Sequence, residues 1–127
     1  NSELLLEQAK KLKVKNIILT DYKKYLLSKN KIKNKNFYNN FDKLNKIFKL
    51  KVDYLLSAIS GIDGLEPTYK SIKHTKKIAI ANKESIICAW NLLSKELKKH
   101  KTEFVPVDSE HFSIWSILKN TQKNLKI

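Results

Sequence analysis

The sequence of 127 residues contains no arginine, one cysteine, two glycines and two prolines. The single cysteine, Cys88, cannot form an internal disulfide; it lies in an apolar stretch, so we expect it to pack in the core of a protein from a reducing compartment such as the cytoplasm. No apolar run approaches the roughly 20 residues that span a bilayer, and Asn1 to Glu3 have no signal-peptide character. We therefore expect a cytoplasmic domain with no membrane partner.

The charge is strongly one-sided. All 26 basic residues are lysine, against 12 acidic residues, and the net charge is +14. Clustered cations bind a phosphate backbone without reading its sequence, but base and phosphate readout usually relies on arginine. From Lys29 to Asn36, lysine alternates with asparagine and isoleucine, which indicates a bias of the whole chain and solvated faces. We expect no nucleic-acid partner, and a lysine-rich polyanion-binding domain without catalysis is the alternative.

Helical and strand-like apolar patterns alternate along the chain about every 25 residues. With 42% hydrophobic residues, the chain is long enough for one domain that buries roughly two-thirds of its unfolded surface. The stretch 28–40 is predicted to be a loop or one short strand near Phe37 and Tyr38, and Ser2 is a possible cap of the first helix. Helices are predicted at about 4–12, 21–27, 41–48, 67–74, 83–99 and from 109, and strands at 16–20, 52–59, 78–81 and 104–107. This order predicts an α/β fold with a mostly parallel sheet and helices on both faces.

Three predicted strand-to-helix turns are rich in polar and small residues: 58–61, 81–85 and 106–111. Ligands of parallel sheets bind beyond the carboxyl ends of the strands. If the three strands are neighbours, these turns lie along one edge. The small residues of the first turn permit close approach to the backbone, and the free N–H groups at helix starts favour anions.

Asp108 and Glu110 lie two residues apart after the last strand. Hard oxygen ligands suit Mg²⁺ or Mn²⁺, although two carboxylates are too few to complete an octahedral site. The same pattern also fits a purely structural role, in which Asp108 caps the last helix, Glu110 complements its dipole and His111 is exposed. Both interpretations stay open from these residues alone.

A similar ambiguity surrounds Asn82, Lys83 and Glu84. Asn82 can cap the next helix and Glu84 favours its positive end, but Lys83 opposes the helix dipole by about a few tenths of a kcal/mol. That misfit favours a functional role for Lys83, and a solvated surface lysine is the alternative; both interpretations stay open from these residues alone. His74 and His100 are predicted to lie at the surface, at the carboxyl ends of helices.

Three segments in this order and spacing closely resemble the deoxyxylulose phosphate reductoisomerase family of the non-mevalonate isoprenoid pathway: Gly61-Ile-Asp-Gly-Leu-Glu-Pro-Thr68, Ala81-Asn-Lys-Glu-Ser85 and Pro106-Val-Asp-Ser-Glu-His111. The resemblance runs from about Leu4 to Leu118. It implies a Rossmann-like fold and a two-step reaction. Deoxyxylulose phosphate, a phosphosugar, is rearranged with the help of a divalent metal and then reduced by NADPH to methylerythritol phosphate.

The resemblance also implies roles for individual residues. Asp108 and Glu110 bind the metal, Lys83, Ser109 and Glu110 contact substrate, and Lys83 and Glu110 are the catalytic pair. The predicted NADPH contacts are Ala58, Ile59, Asn82 and Glu84. A divalent cation and a lysine ammonium can both stabilise the negative charge that develops during such a rearrangement.

The chain lacks the Gly-x-Thr-Gly-Ser-Ile-Gly loop with which the family opens, and the later part of the family's catalytic domain. We therefore expect a central fragment without the first strands of the complete fold. Residues 1–107 would form the distal part of the NADPH-binding domain, and 108–127 the start of the catalytic domain. We expect the fragment to be inactive alone and its parent to be a homodimer; a related dehydrogenase with different chemistry is a third possibility.

Overall fold

The structure, a computed structural model, describes residues 1–32 and 35–124, which fall into two compact units divided between Ile47 and Phe48. Lys33 and Asn34, in the predicted loop 28–40 and the lysine-rich stretch, lie outside the described residues. So do residues 125–127 at the end of the second predicted domain. The boundary between the units differs from the predicted domain boundary at 107/108, which stays a prediction about the family's domains.

The first unit is built around two short parallel strands. Its elements are α1 (Ser2–Lys11), β1 (Asn16–Ile18), α2 (Tyr22–Lys29), β2 (Asn36–Tyr38), a 3₁₀ turn (Phe41–Lys43) and α3 (Leu44–Ile47). Ile17 pairs with Phe37 in register, and Ile17 is buried. The short strand near Phe37 is thus confirmed, while Asn1 rather than Ser2 caps α1 by accepting a bond from the N–H of Glu3 at 3.1 Å.

The second unit contains a three-stranded parallel sheet in the order β3-β4-β5. Its elements are β3 (Val52–Ser57), a 3₁₀ turn (Ile62–Gly64), α4 (Leu65–Ile72), β4 (Thr75–Ile80), α5 (Lys83–His100), β5 (Glu103–Pro106) and α6 (Ser109–Asn124). Each strand is followed by a helix before its parallel neighbour begins, as parallel pairing requires. The predicted alternation of strands and helices is confirmed.

Helices α4 and α5 cover one face of this sheet, while α6 contacts the β5 edge of the other face, where Tyr54 and Leu56 stay exposed. Ile78 and Ile80 of β4 point to one face and pack in a buried cluster with Ile72 of α4 and Leu93 of α5. Side chains alternate along a strand, so Glu103, which pairs with Lys77, lies on the opposite face. There Lys119 of α6 reaches Glu103 at 3.7 Å and also lies over the ring of Trp115. The predicted α/β architecture is therefore confirmed.

Two predictions about single side chains are wrong. Cys88 is exposed on α5 and not packed, because the buried stripe of that helix passes through Ile86, Leu93 and Leu97. His74 is buried and not at the surface, because its ring stacks on Phe48 with ring centroids 5.3 Å apart. His100 does end α5, where it bonds the carboxylate of Glu96 at 2.8 Å. Among residues 1–32 and 35–124, no helix is long and apolar enough to cross a membrane.

Burial of His74 predicts a loss of stability in mild acid. Burial, assisted by the charges of Lys73 and His100, lowers the pKa of His74 from its ordinary value of 6.5. Below that value the unfolded chain binds a proton that the folded chain does not, so the free energy of unfolding falls with pH, by at most about 1.4 kcal/mol per pH unit. We expect His74→Phe, which keeps the ring stack, to flatten urea unfolding midpoints between about pH 7.5 and pH 5.5. An unchanged pH profile in this variant would contradict the assignment.

Candidate functional site

The register of the second sheet brings the three polar turns to one edge. Ser57, Ile80 and Pro106 lie side by side at the ends of β3, β4 and β5. Beyond them the N–H of Ala81 donates to the oxygen of Ser57 at 2.9 Å, and the N–H of Val107 donates to the oxygen of Ile80 at 3.2 Å. The turns therefore start from adjacent positions, which confirms the prediction that they share one edge.

Lys83 and Glu110 form a contact between two of these turns. The Nζ atom of Lys83 lies 3.3 Å from Oε1 of Glu110, while the hydroxyl of Ser109 donates to Oε2 of Glu110 at 3.0 Å. The side chains of Lys83 and Glu110 are about half exposed, at 50% and 61%. The pKa of Glu110 is lowered by a bond from its own backbone N–H, by the hydrogen bonds from Ser109 and Lys83, and by the charge of Lys83. The carboxylate is thus ionised at neutral pH and open to solvent.

The two carboxylate oxygens of Asp108 have different surroundings. Its Oδ1 accepts the backbone N–H of His111 at 3.0 Å and lies 2.7 Å from His111 Nδ1. Its Oδ2 is buried and has no hydrogen-bond partner among the described residues, in a side chain only 8% exposed. Burial acts to raise the pKa of Asp108, but the bonds from His111 outweigh it and the pKa is lowered. Capping and ligand binding can therefore coexist, since they use different oxygens.

The remaining predicted residues lie around the first two turns. Ala58 and Ile59 follow β3 and are exposed, and Glu84 is exposed in the first turn of α5. Asn82 is 2% exposed, and its amide bonds the backbone of three residues: Ile59, Gly61 and Ser85. Its side chain is therefore buried, and it connects the turn after β3 to the start of α5.

The structure brings Lys83, Ser109 and Glu110 into contact, with Asp108 in the same turn as Glu110. Within the part of the chain that the structure describes, no three His, Cys, Asp or Glu side chains group closely enough to hold a metal ion. Sequence reasoning missed His111 as the partner of Asp108. The signal was present: His111 comes three positions after Asp108 at a helix start, where the side chain of a cap meets the third residue of the helix.

The fold and the site together define a Rossmann-like α/β domain, with a candidate ligand site at the carboxyl edge of its parallel sheet. Residues 1–90 match the family model of 1-deoxy-D-xylulose 5-phosphate reductoisomerase. The chain belongs to that family.

One curated relative extends this match beyond residue 90. The reductoisomerase of Pelagibacter ubique (strain HTCC1062) is 59% identical over 128 residues, covering 98% of this chain and 33% of the relative. That of Wolbachia pipientis subsp. Culex pipiens (strain wPip) is 47% identical over 81 residues, covering 63% of this chain and 21% of the relative. The chain thus spans a third or less of the length of these relatives.

Solved reductoisomerases have the same fold. The Zymomonas mobilis enzyme in complex with NADPH superimposes with a TM-score of 0.75 at 31% identity, over 87% of this chain and 30% of that one. A reductoisomerase with fosmidomycin and magnesium gives a TM-score of 0.72 at 28% identity, over 87% and 29%. The two-stranded sheet and the three-stranded sheet described above are therefore parts of a reductoisomerase fold.

The close packing between Gly64, Ile59 and Asn82 predicts that Gly64 does not tolerate a side chain. A Cβ atom on Gly64 would lie 2.3 Å from the oxygen of Ile59 and 2.7 Å from Nδ2 of Asn82. We expect Gly64→Ala to lower the free energy of unfolding by about 2 kcal/mol or more, because backbone must move to make room. Ser60→Ala, an exposed change in the turn 58–61 that precedes Gly64, should change the free energy of unfolding by no more than about 0.5 kcal/mol. Equal urea unfolding midpoints for the two variants would contradict this close packing.

Proposed function

We propose that the chain is part of an enzyme that rearranges 1-deoxy-D-xylulose 5-phosphate and reduces the product with NADPH to 2-C-methyl-D-erythritol 4-phosphate. The supporting observation is the buried oxygen of Asp108, which has no partner among residues 1–32 and 35–124, in the same turn as the Glu110 that contacts Lys83 and Ser109. A buried carboxylate oxygen without a donor is costly unless a cation or another ligand satisfies it. Membership of the reductoisomerase family supplies the reaction.

Asp108 and Glu110 fit a divalent cation. Both have lowered pKa values, so both are ionised at neutral pH, and oxygen ligands suit Mg²⁺ or Mn²⁺. When bound, such a cation polarises the substrate's carbonyl and stabilises the oxyanion of the rearrangement. Two carboxylates leave an octahedral site incomplete, so the other ligands are water, substrate or residues outside this chain.

The side chains around these carboxylates would bind and orient the substrate. The ammonium of Lys83 stabilises negative charge on the substrate, and it is held at the same edge by the start of α5. The hydroxyl of Ser109 can turn from Glu110 to a substrate hydroxyl, because a hydroxyl both donates and accepts. Lys83 and Glu110 are the residues to which we assign the chemistry.

The turn after β3 would hold the nicotinamide end of NADPH. Ala58 and Ile59 are exposed there, and Glu84 is exposed on the neighbouring helix start. The Zymomonas mobilis structure that superimposes on this chain contains NADPH, which supports a cofactor site in this domain. We assign Ala58, Ile59, Asn82 and Glu84 to this half of the site, Asn82 acting through the backbone that it braces.

The complete protein would contain this chain as its central part. The chain spans about a third of its Pelagibacter relative. We assign the substrate-phosphate site and the remaining ligands of the metal to segments outside this chain. We further propose that residues 108–127 begin the catalytic domain, that the parent is a cytoplasmic homodimer, and that the 127 residues alone are inactive.

A direct test is NADPH oxidation by the full-length protein with deoxyxylulose phosphate and Mn²⁺. We expect turnover by the full-length protein, and a loss of at least about 100-fold in kcat for Asp108→Asn and for Glu110→Gln, since each removes a charged ligand. Glu103→Gln, which neutralises an acid at the opposite end of β5, is the matched control and should keep its activity. Wild-type levels of metal-dependent activity in both site variants would refute the assignment and favour a related dehydrogenase with different chemistry.

Polyanion binding is the competing hypothesis, motivated by the net charge of +14. Counterion release makes such binding steeply dependent on salt. If it were the function, the chain would bind DNA of any sequence at about micromolar concentration, and charge swaps within residues 29–36 would weaken that binding. We expect no such binding in a titration by fluorescence anisotropy.

A further inference from the structure

Asn82 makes more hydrogen bonds than a helix cap requires. Its Oδ1 accepts the backbone N–H of Ser85 at 2.5 Å, which is the ordinary capping bond. Its Nδ2 also donates to the backbone oxygens of Ile59 and Gly61, the latter at 2.7 Å. A primary amide has two N–H hydrogens, so both are in use inside a side chain that is 2% exposed.

The two donor bonds distinguish Asn82 from the other asparagine caps of the chain. Asn1 and Asn40 accept from the N–H groups of Glu3 and Asp42 at 3.1 and 3.0 Å, and neither amide donates a bond within the described residues. Serine, threonine or aspartate would cap those helices as well. At position 82 these residues would supply the acceptor but lose both amide donors, so capping alone does not explain the asparagine.

The backbone of the segment 59–64, after β3, leaves room for this amide. Gly64 has no side chain, and a Cβ atom there would lie 2.7 Å from Nδ2 and 3.1 Å from Cγ of Asn82. The oxygens of Ile59 and Gly61 converge on the same nitrogen. One side chain thus ties the turn after β3 to the start of α5.

The tie is next in sequence to Lys83. Asn82 fixes the first turn of α5, and from there Lys83 reaches Glu110 of the third turn at 3.3 Å. Two adjacent residues therefore connect all three turns of the site. A shift between the turn after β3 and α5 would move Lys83 relative to anything held at Ala58 and Ile59.

We propose that Asn82 is a positioning residue that sets the distance between the cofactor-side turn, residues 58–61, and Lys83. It acts through the backbone that it bonds, and its side chain does not contact the cofactor. The inference deepens the proposed function and rests on it for its kinetic consequences. It replaces the direct NADPH contact expected for the Asn82 side chain.

The test compares two isosteric changes in the full-length protein, Asn82→Asp and Asn40→Asp. Both keep a cap acceptor and both add one negative charge, but only the first sets a carboxylate oxygen against two carbonyl oxygens. We expect Asn82→Asp to raise the KM for NADPH and lower kcat together, each by about tenfold or more, because both halves of the site move apart. Asn40→Asp should change neither by more than about twofold.

Other outcomes would overturn the proposal. A raised KM for NADPH with unchanged kcat would mean that the side chain contacts the cofactor directly. Unchanged kinetic constants per folded molecule, with only a lower unfolding midpoint, would mean a purely structural role. If Asn82→Asp does not fold, Asn82→Ser is measured in the same way, because serine keeps the cap and leaves the two carbonyls unpaired without adding charge.

A second measurement does not depend on activity. The side-chain amide hydrogens of Asn82 in the full-length protein should be slow to exchange with solvent and should stay so when NADPH is added, whereas a cofactor ligand would show a changed rate. Slow exchange in a protein without reductoisomerase activity would refute the proposed function and leave the tie standing. Fast exchange in an active enzyme would refute the tie and leave the function standing.

Discussion

The parallel register of β3, β4 and β5 is the constraint on which the candidate site depends. It aligns Ser57, Ile80 and Pro106, so that three turns far apart in sequence emerge side by side. The register is held by burial: Ile78 and Ile80 have no exposed surface, and a slip of one residue would turn them to the other face. Packing of an apolar strand thus determines where the polar groups meet.

At this edge, the groups that end one element and begin the next also carry the candidate chemistry. Asp108 caps α6 with Oδ1, and its Oδ2 has no partner in the part of the chain that the structure describes. Asn82 caps α5 with its oxygen and bonds the turn after β3 with its nitrogen. A cap needs only one acceptor atom. Bonds made by other atoms of the side chain distinguish a residue with a further role from an ordinary cap. Asn40 is an ordinary cap, because within the described residues its side chain makes only the capping bond.

The alternation of elements, the parallel sheet and the shared edge could be predicted from the sequence, because continuous apolar runs such as Ile78 to Ile80 and caps such as Asn82 are local signals. The environments of Cys88 and His74 could not be predicted from the sequence. That of Cys88 depends on which face of α5 is buried, and that of His74 depends on Phe48 covering its ring. The partner of Asp108 was missed for a different reason: a histidine three residues away fits an exposed position as well as a bonded one. Roles in catalysis came only from the family resemblance, since local physics left Asp108 and Lys83 undecided.

The contact between Lys83 and Glu110 is weak enough to be exchanged. Both side chains are about half exposed, so water screens the ion pair and it contributes little to stability. A cation at Glu110 and an anionic substrate at Lys83 would each replace this pair at little cost, while the tied backbone beneath them keeps its place. The exposed side chains of Lys83 and Glu110 can exchange partners without moving the turns. The turns are held by the buried hydrogen bonds of Asn82 and by the buried strands.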